Sequence, residues 1–300
     1  MFDLTPTLDC GGRPLPLDRT RVMGIVNVTP DSFSDGGRHD TVEAALAHAL
    51  KLVEEGADLL DIGGESTRPG ADAVPVEEEI RRVVPVIEAL SRQVRVPISI
   101  DTFKPEVMRA AVDAGAGLIN DIRALREDGA LETAAQLGVP VVLMHMQGEP
   151  RSMQDAPHYE DVVGEVHRFL AERIFAAEMS GIDKRKLIVD PGYGFGKTTA
   201  HNLILLAGQS RLTELGVPVL AGISRKRSIG ELTSRERPAD RLAGSVAAHL
   251  IAAQRGARIV RVHDVAATVD ALKVWQAVDA VPAPRKDAPA AASIRWPDED

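Results

Sequence analysis

The sequence predicts an α/β protein, a single (β/α)8 TIM barrel, and three observations lead to this prediction. Eight short runs rich in β-branched residues alternate with longer stretches of helical period between residue 22 and about residue 279. No linker interrupts this alternation, and 44% hydrophobic residues are enough to build one large core. An open, doubly wound sheet is the alternative, but the even number of strands and the absence of a linker favour the barrel.

The predicted strands are each followed by a helical stretch. In chain order they are RVMGIVN (21–27), LLDIG (59–63), VPISID (96–101), LINDI (118–122), VPVVLMH (139–145), KLIVDPG (186–192), VPVLAGIS (217–224) and RIVRVHD (258–264). The clearest helix is TVEAALAHALKLVEEG, in which apolar residues share one face, Asp40 is placed to cap the helix and Gly56 to end it. A last helix, AATVDALKVWQAV, is expected to close the barrel.

Two connections, 28–39 and 63–74, are long and lack a helical period. They follow the first and second strands, at the ends of a barrel where substrates bind, and we expect both to be mobile loops. The barrel domain is expected to span residues 1–281. The tail, 282–300, is rich in proline, alanine and charge, and it is expected to be disordered.

Composition argues against several classes of function. The chain has 35 Lys and Arg against 44 Asp and Glu, a formal net charge of -9, and no long basic cluster, so nucleic acid is not an expected partner. Cys10 is the only cysteine, which excludes an intrachain disulfide or a thiolate zinc cluster and suits the cytoplasm. The start resembles no signal peptide and no run of 18 apolar residues occurs, so we expect a cytoplasmic protein with no membrane contact.

Every predicted strand ends in a hydrogen-bonding or charged side chain. These residues are Asn27, Asp61, Asp101, Asn120, Asp121, His145, Asp190, Ser224, Arg225, Lys226, Arg261 and His263. The strand ends of a barrel converge on one mouth, so we expect these side chains to line a single pocket. Turn and capping chemistry explains any single Asp or Asn about as well, but it does not require Lys226, Arg261 and His263 at the same edge.

The polar set also indicates a type of ligand. A flat heterocycle such as a 2-amino-4-oxo pyrimidine needs oxygens for its N–H groups and a cation for its carbonyl. Asp101, Asn120, Asp190 and Lys226 meet that need. Two residues apart on one strand, Arg261 and His263 face the same way and suit a phosphate or diphosphate. The neutral oxygen of Asn27 is a weak Mg²⁺ ligand that becomes adequate when phosphate oxygens supply other positions.

The stretch DPGYGFGKT is similar to a phosphate-binding loop but does not match one. A Walker A pattern needs a glycine five residues before Gly196, and Pro191 stands there. We expect the glycines at 192, 194 and 196 to let the backbone pass close to a ligand. The alternative is that they serve only close packing within the protein.

Over residues 18–280 the chain resembles the bacterial dihydropteroate synthase family. The matching stretches are MGIVNVTPDSFSDGG, DIGGESTRPGA, ISIDTFKPEV, INDIRAL, LMHMQG, LIVDPGYGFGKT with the following HN, SRK with its nearby IG, and IVRVHDV. The resemblance implies a pterin-binding barrel that forms a homodimer. It also implies a transferase that joins 6-hydroxymethyl-7,8-dihydropterin diphosphate to 4-aminobenzoate, giving 7,8-dihydropteroate for folate synthesis.

The resemblance also implies roles for individual residues. The pterin diphosphate would be bound by Thr67, Asp101, Asn120, Asp190, Lys226, Arg261 and His263, and Asn27 would hold Mg²⁺. The second substrate, 4-aminobenzoate, would contact Phe33, Arg68, Pro69, Phe195 and Ser224. Among these residues Asp101, Lys226 and Arg261 would be catalytic. A further pairing, between Asp35 and Arg68, is expected across the two loops.

Two alternative functions are considered. A methyltetrahydrofolate-dependent methyltransferase barrel would need neither the NVTPDSFSDGG loop nor a diphosphate site. A non-catalytic pterin-binding copy would be indicated by loss of Phe33, Asp35, Arg68 or Lys226, and all four are present. Some relatives have serine where Arg227 stands, which concerns the carboxylate site of aminobenzoate rather than the reaction. The STRPGA stretch has no extra residues, so sulfonamides, which mimic aminobenzoate, are expected to inhibit.

Overall fold

Eight parallel strands form a closed barrel, which confirms the predicted fold. The computed structural model describes residues 6–29, 38–66, 73–148, 153 and 156–282. After a short hairpin of β1 (Thr7–Cys10) and β2 (Arg13–Pro16), the barrel strands are β3 (Arg21–Asn27), β4 (Leu59–Gly63), β5 (Ile98–Asp101), β6 (Leu118–Asp121), β7 (Val141–Met144), β8 (Leu187–Asp190), β9 (Val219–Ala221) and β10 (Ala257–Val262). Each strand pairs with its neighbours in chain order, and β10 closes the ring against β3.

Helices surround the barrel between the strands. Their bounds are α1 (Arg38–Glu54), α2 (Val76–Gln93), α3 (Pro105–Asp113), α4 (Ala130–Leu137), α5 (Val162–Met179), α6 (Thr199–Ala207), α7 (Arg227–Thr233), α8 (Leu242–Gln254) and α9 (Val265–Asp279). Within the described ranges, no helix is long and apolar enough to cross a membrane.

The strands separate two apolar cores because successive side chains point to opposite faces. Outward side chains such as Leu60, Ile62 and Ile100 pack against the helices. Inward side chains form a smaller cluster inside the barrel: Met23, Leu59, Leu118, Val142, Ile188, Leu220 and Ile259. This inner cluster lies nearer the N-terminal ends of the strands, so the opposite ends are left for polar groups.

The hairpin of β1 and β2 was not predicted from the sequence. It closes the N-terminal end of the barrel, where its Leu8, Cys10, Leu15 and Leu17 join the inner apolar cluster. A Cβ on Gly117 would lie 2.1 Å from the carbonyl oxygen of Cys10, so the hairpin packs directly on the backbone that leads into β6.

Several boundaries differ from the sequence prediction. Helix α1 begins at Arg38, so Asp40 lies inside its first turn and the expected cap at that residue was wrong. The helix ends at Glu54, and Gly56 follows with a φ of 99°, as its expected role requires. The later strands are shorter than predicted, although Asp101, Asn120, Asp190 and Arg261 all remain within them. Most of both predicted loops (30–37 and 67–72) and the tail (283–300) lie outside the described residues.

Candidate active site

A pocket opens at the C-terminal ends of the barrel strands. It is lined by Asp101, Asn120, Ile122, Met144, Asp190, Phe195, Gly222, Lys226 and Arg261. Five of the polar residues expected at the mouth are therefore brought together by β5, β6, β8, β10 and the segment after β9. Their convergence follows from the parallel register of the strands.

Arg261 lies between two carboxylates in this pocket. Its Nε donates to Asp61 Oδ2 at 2.6 Å and its Nη2 donates to Asp101 Oδ2 at 2.6 Å. Asn120 Nδ2 donates to the same Asp61 oxygen at 3.0 Å. Asp61 is fully buried, and within the described part of the chain its other oxygen, Oδ1, has no hydrogen-bond partner. This one carboxylate orients two residues of the site.

Asp61 was noted at the end of its strand but was not assigned to the site from sequence. Its position two residues after Leu59, on the inward face of β4, was the available signal. That signal does not identify its partners, because Arg261 is 200 positions away along the chain.

Burial and neighbouring charges together shift the pKa values of Asp101 and Arg261. Burial raises the pKa of Asp101 to about 7, although the neighbouring Arg261 charge opposes the shift. For Arg261, burial favours the neutral form, but the charges of Asp61 and Asp101 outweigh it and raise its pKa above the ordinary value. The pocket thus holds a permanent cation beside a carboxylate that titrates close to neutrality.

Lys226 and Asp190 form the second charged part of the pocket. Lys226 donates to the carbonyl oxygen of Tyr193, and its Nζ lies 4.2 Å from the centroid of the Phe195 ring. Burial lowers the pKa of Lys226 to about 7, with the Asp190 charge opposing. Asp190 accepts the Gly192 N–H at 2.7 Å, and burial raises its pKa against that bond and the nearby cations.

Ser224 and His263 meet at the ends of β9 and β10. The backbone N–H of His263 donates to Ser224 Oγ at 3.1 Å, and His263 Nδ1 lies 3.0 Å from the same oxygen. The backbone N–H of Ile223 donates to His249 Nε2 at 3.2 Å, and this holds the segment that leads to Ser224. The geometry fits two residues that contact neighbouring parts of one ligand.

Asn27 ends β3 beside Gly63, its partner in the parallel register. Among the described residues, no group of three or more His, Cys, Asp or Glu side chains is placed to hold a metal ion. Asn27, the predicted Mg²⁺ ligand, lies at the carboxyl end of its strand, and its neutral amide oxygen is chemically suited to Mg²⁺ when phosphate oxygens supply other positions.

Other predicted residues fall away from the pocket or outside the described chain. Thr67, Phe33, Asp35, Arg68 and Pro69 lie outside the described residues. The His145 ring faces Lys197 rather than the pocket. Arg227 is exposed and its Nε lies 2.6 Å from Glu231 Oε1 along α7, so its replacement of serine leaves the described pocket lining unchanged.

The glycines of DPGYGFGKT approach protein groups closely. A Cβ on Gly194 would lie 2.7 Å from Cδ of Lys226, and Gly194 has a φ of 79°. The turn thus packs directly against a lysine of the pocket, and glycine is required there for space as well as for conformation.

Comparison with known proteins relates the chain to one family. The pterin binding enzyme family matches residues 23–263. The dihydropteroate synthase of Escherichia coli (strain K12) is 53% identical over 266 residues, which cover 89% of this chain and 94% of the relative. That of Haemophilus influenzae is 53% identical over 264 residues, which cover 88% of this chain and 95% of the relative.

Solved structures extend the likeness to three dimensions. Dihydropteroate synthase of Xanthomonas albilineans with 4-aminobenzoic acid superposes with a TM-score of 0.89 at 75% identity, covering 93% of this chain and 100% of that one. The complex of that enzyme with 7,8-dihydropteroate superposes with a TM-score of 0.86 at 72% sequence identity, and the match covers 92% of this chain and 100% of that one. The Yersinia pestis synthase with a sulfonamide drug superposes with a TM-score of 0.87 at 51% sequence identity, and this match also covers 92% of this chain and 100% of that one.

Proposed function

Because the chain belongs to the pterin-binding family of dihydropteroate synthases, we propose that the buried polar network at the barrel mouth binds the dihydropterin diphosphate. The protein is a transferase that joins 6-hydroxymethyl-7,8-dihydropterin diphosphate to 4-aminobenzoate in folate synthesis. The observation that carries the proposal is the position of Arg261 between Asp61 and Asp101, in a pocket with Asn120 and Lys226.

The pterin ring is matched by the donors and acceptors of this pocket. Its 2-amino and ring N–H groups would donate to the oxygens of Asp101, Asn120 and Asp190, and its carbonyl oxygen would accept from Lys226. The apolar side chains of Ile122 and Met144 border the same pocket and suit the faces of a flat ring.

The diphosphate would lie toward the ends of β9 and β10, where it would contact Arg261 and His263. Thr67 would contact the same group. Asn27 would hold Mg²⁺, which when bound would neutralise charge on the diphosphate oxygens. Binding of pterin diphosphate that stays equally tight in excess chelator would argue against this metal site.

Aminobenzoate would bind beside the pterin methylene. Phe195 lines the pocket wall and Ser224 lies near the N-terminal end of α7, where free backbone N–H groups favour a carboxylate. Phe33, Arg68 and Pro69 would complete this subsite. Sulfonamides would compete there, and turnover undiminished at high sulfonamide would contradict it.

The chemistry requires no nucleophilic side chain. The C–O bond between the pterin methylene and the diphosphate breaks, and its electron pair leaves with the diphosphate. The Asp101 carboxylate stabilises the positive charge that spreads over the pterin, while Arg261 stabilises the departing oxygens. The aminobenzoate nitrogen then bonds to the methylene carbon and releases a proton to solvent.

A pair of variants tests the assignment of the pterin pocket. We expect Asn120→Ala to weaken binding of the pterin diphosphate about tenfold, because one donor and acceptor pair is lost, with KM for 4-aminobenzoate nearly unchanged. Calorimetry and steady-state kinetics measure the two quantities. Arg92→Ala, in the exposed last turn of α2, is the control. If Asn120→Ala weakened the binding of both substrates equally, the assignment of this pocket to the pterin would be wrong.

We also propose a cytoplasmic homodimer. Helices α6, α7 and α8 expose large apolar side chains, among them Ile204, Leu232 and Ile251. Such side chains on adjacent helices suit an isologous interface. Cys10 is a free, buried thiol, which suits a reducing compartment. Light scattering on the wild type and on Ile204→Glu would test the dimer, and a monomeric wild type would refute it.

A further inference from the structure

Lys197 is buried behind the pocket and is not among the residues that line it. Only 3% of its surface is exposed. Its Nζ lies 2.9 Å from His145 Nδ1, 3.0 Å from the carbonyl oxygen of Gly192 and 3.0 Å from that of Phe195. With the carbonyl oxygen of His145 at a longer 3.5 Å, each of the three N–H groups of an ammonium has an acceptor, whereas a neutral amine has only two N–H groups. Burial lowers the pKa of Lys197 well below its ordinary value and the Asp190 charge opposes this shift, but the set of acceptors fits the charged form.

His145 supplies a fixed acceptor for this ammonium. Burial and the charge of Lys197 lower the pKa of His145 to about 2, so the ring stays neutral and Nδ1 keeps its lone pair. The ring also packs edge-on against Phe169, with 4.9 Å between centroids. Because packing fixes the ring, Lys197 is anchored to the end of β7.

The other two acceptors belong to the turn of residues 191–196. Gly192 and Gly196 have φ values of 67° and 56°. A Cβ on Gly192 would lie 1.8 Å from the carbonyl oxygen of His145, and one on Gly196 would lie 2.4 Å from that of Gln147. The turn therefore packs tightly against the backbone after β7, with its own carbonyls at 192 and 195 directed to the ammonium.

The same turn holds two groups of the pocket. The Phe195 ring lines the pocket, and the carbonyl of Tyr193 accepts the hydrogen bond from Lys226. Lys197 bonds the carbonyls on either side of Tyr193, at Gly192 and at Phe195 itself. Any shift of the turn would therefore move the Phe195 ring and the acceptor of Lys226 together.

We propose that Lys197 is a positioning residue of the synthase, whose buried ammonium fixes the 191–196 turn and so places Phe195 and Lys226 for the two substrates. This inference rests on the proposed function, which assigns Phe195 to aminobenzoate. The strand-borne residues Asp61, Asp101, Asn120 and Arg261 are held by their own network. Loss of Lys197 is therefore expected to affect aminobenzoate more than the pterin diphosphate.

The first test compares Lys197→Met with Lys186→Met. Lys186 is a matched control, because its Nζ also bonds a backbone carbonyl, that of Gly138, but before the start of β8 and away from the mouth. We expect Lys197→Met to lower kcat/KM for 4-aminobenzoate about 10- to 100-fold, mainly through KM, because a displaced ring misplaces the amine. The dissociation constant of the pterin diphosphate is expected to rise by a smaller factor, because Lys226 loses its fixed acceptor at Tyr193 while Asp101, Asn120 and Arg261 keep their own network. Lys186→Met should change neither.

Hydrogen exchange measures the turn independently of any substrate. In Lys197→Met we expect faster exchange in a peptide covering 192–196, whose Phe195 and Gly194 amides are bonded in the native turn, and unchanged exchange over β6. Unchanged exchange in the turn, or equal acceleration over all strands, would overturn the inference. A loosened turn with wild-type kinetics would also overturn it, while leaving the proposed function intact. Phe195→Ala tests that function separately, since an unchanged KM would contradict the aminobenzoate assignment alone.

A rescue experiment covers the case in which Lys197→Met folds poorly. Lys197→Cys in a Cys10→Ser background has one thiol, which is alkylated with 2-bromoethylamine in the unfolded state and then refolded. The product restores an ammonium on a side chain of nearly native length. Recovery of the aminobenzoate KM by the ammonium, but not by alkylation with bromoethanol, supports the inference. Equal recovery by both reagents would mean that filling the space is sufficient, and would overturn it.

Discussion

Both ends of the barrel contain buried side chains, but those side chains are chemically opposite. At the N-terminal end the hairpin residues Leu8 and Cys10 pack on an apolar cluster inside the barrel. At the C-terminal end, Asp61 has the same zero exposure as Leu118, yet it bonds Arg261 and Asn120. Burial alone therefore does not separate core from site. The difference lies in whether each buried group needs a partner.

The two ends are also built by the same strands. An apolar residue of the inner cluster is followed two positions later by a polar residue of the mouth, on the same inward face. The pairs are Leu59 and Asp61 on β4, Leu118 and Asn120 on β6, Ile188 and Asp190 on β8, and Ile259 and Arg261 on β10. Each strand thus places an apolar residue of a lower, stabilising layer next to a polar residue of an upper layer at the mouth. Substitutions can change one layer without changing the other.

The largest effect is expected from Asp101→Asn, which removes the charge of the upper layer but keeps its shape. If the carboxylate stabilises a cation on the pterin, kcat should fall about 10²- to 10³-fold. Binding of the pterin diphosphate should weaken much less, because Asn still accepts a hydrogen bond. Single-turnover kinetics and calorimetry separate the two quantities, and equal losses would reduce Asp101 to an anchor for the ring.

Asp61→Asn is expected to have a smaller effect, because Asp61 acts through Arg261 and Asn120. The neutral amide weakens the bond to Arg261 Nε, so the guanidinium is less well fixed. We expect a loss of about 10- to 100-fold in kcat/KM for the pterin diphosphate and little change in KM for 4-aminobenzoate. Ser99→Ala is a control that changes an equally buried residue of the neighbouring strand β5. A loss as large as that of Asp101→Asn would instead indicate direct contact of Asp61 with substrate.

A moderate effect is expected from pH. Asp101 and Lys226 both have a pKa of about 7, the first raised and the second lowered by burial. Activity needs Asp101 ionised, so it falls as pH decreases through about 7, and it needs Lys226 protonated, so it falls as pH increases through about 7. A narrow bell results for kcat/KM of the pterin diphosphate. Lys226→Arg should flatten the alkaline limb, and an unchanged limb would exclude Lys226 as its origin.

The sequence was sufficient for the barrel and for most of its polar mouth. Helical and strand periods are local patterns, and polar residues at parallel strand ends must meet once the barrel closes. Of the predicted set, Asp101, Asn120, Asp190, Phe195, Lys226 and Arg261 line one pocket, whereas Asn27, Ser224 and His263 are not part of its lining. Cross-strand partners were not predictable, because the pairing of Asp61 with Arg261 depends on which side chains meet across the barrel.

Two other features could not be predicted from local sequence patterns, because they depend on contacts between distant segments. The N-terminal hairpin has strands of four residues and no following helix, so it lacked the repeat that identified the other strands. Lys197 lies in the DPGYGFGKT stretch, whose pattern predicts a role for the glycines alone, and its contact with His145 joins residues 52 positions apart. In both cases the missing information was which distant segment the residues contact.

The smallest effect on catalysis is expected from Leu118→Ala, two residues before Asn120 on the same face of β6. Removing a fully buried leucine from the lower layer should cost about 2–5 kcal/mol of unfolding free energy, because it leaves a cavity under the closed end. KM for both substrates and kcat per folded molecule should stay within about twofold of wild type, since the upper layer keeps its own hydrogen bonds. Chemical denaturation and active-site titration give the two measurements. A rise in the pterin dissociation constant comparable to that of Asn120→Ala would show that the layers are coupled, and the division of the barrel into a stabilising end and a reactive end would then be wrong.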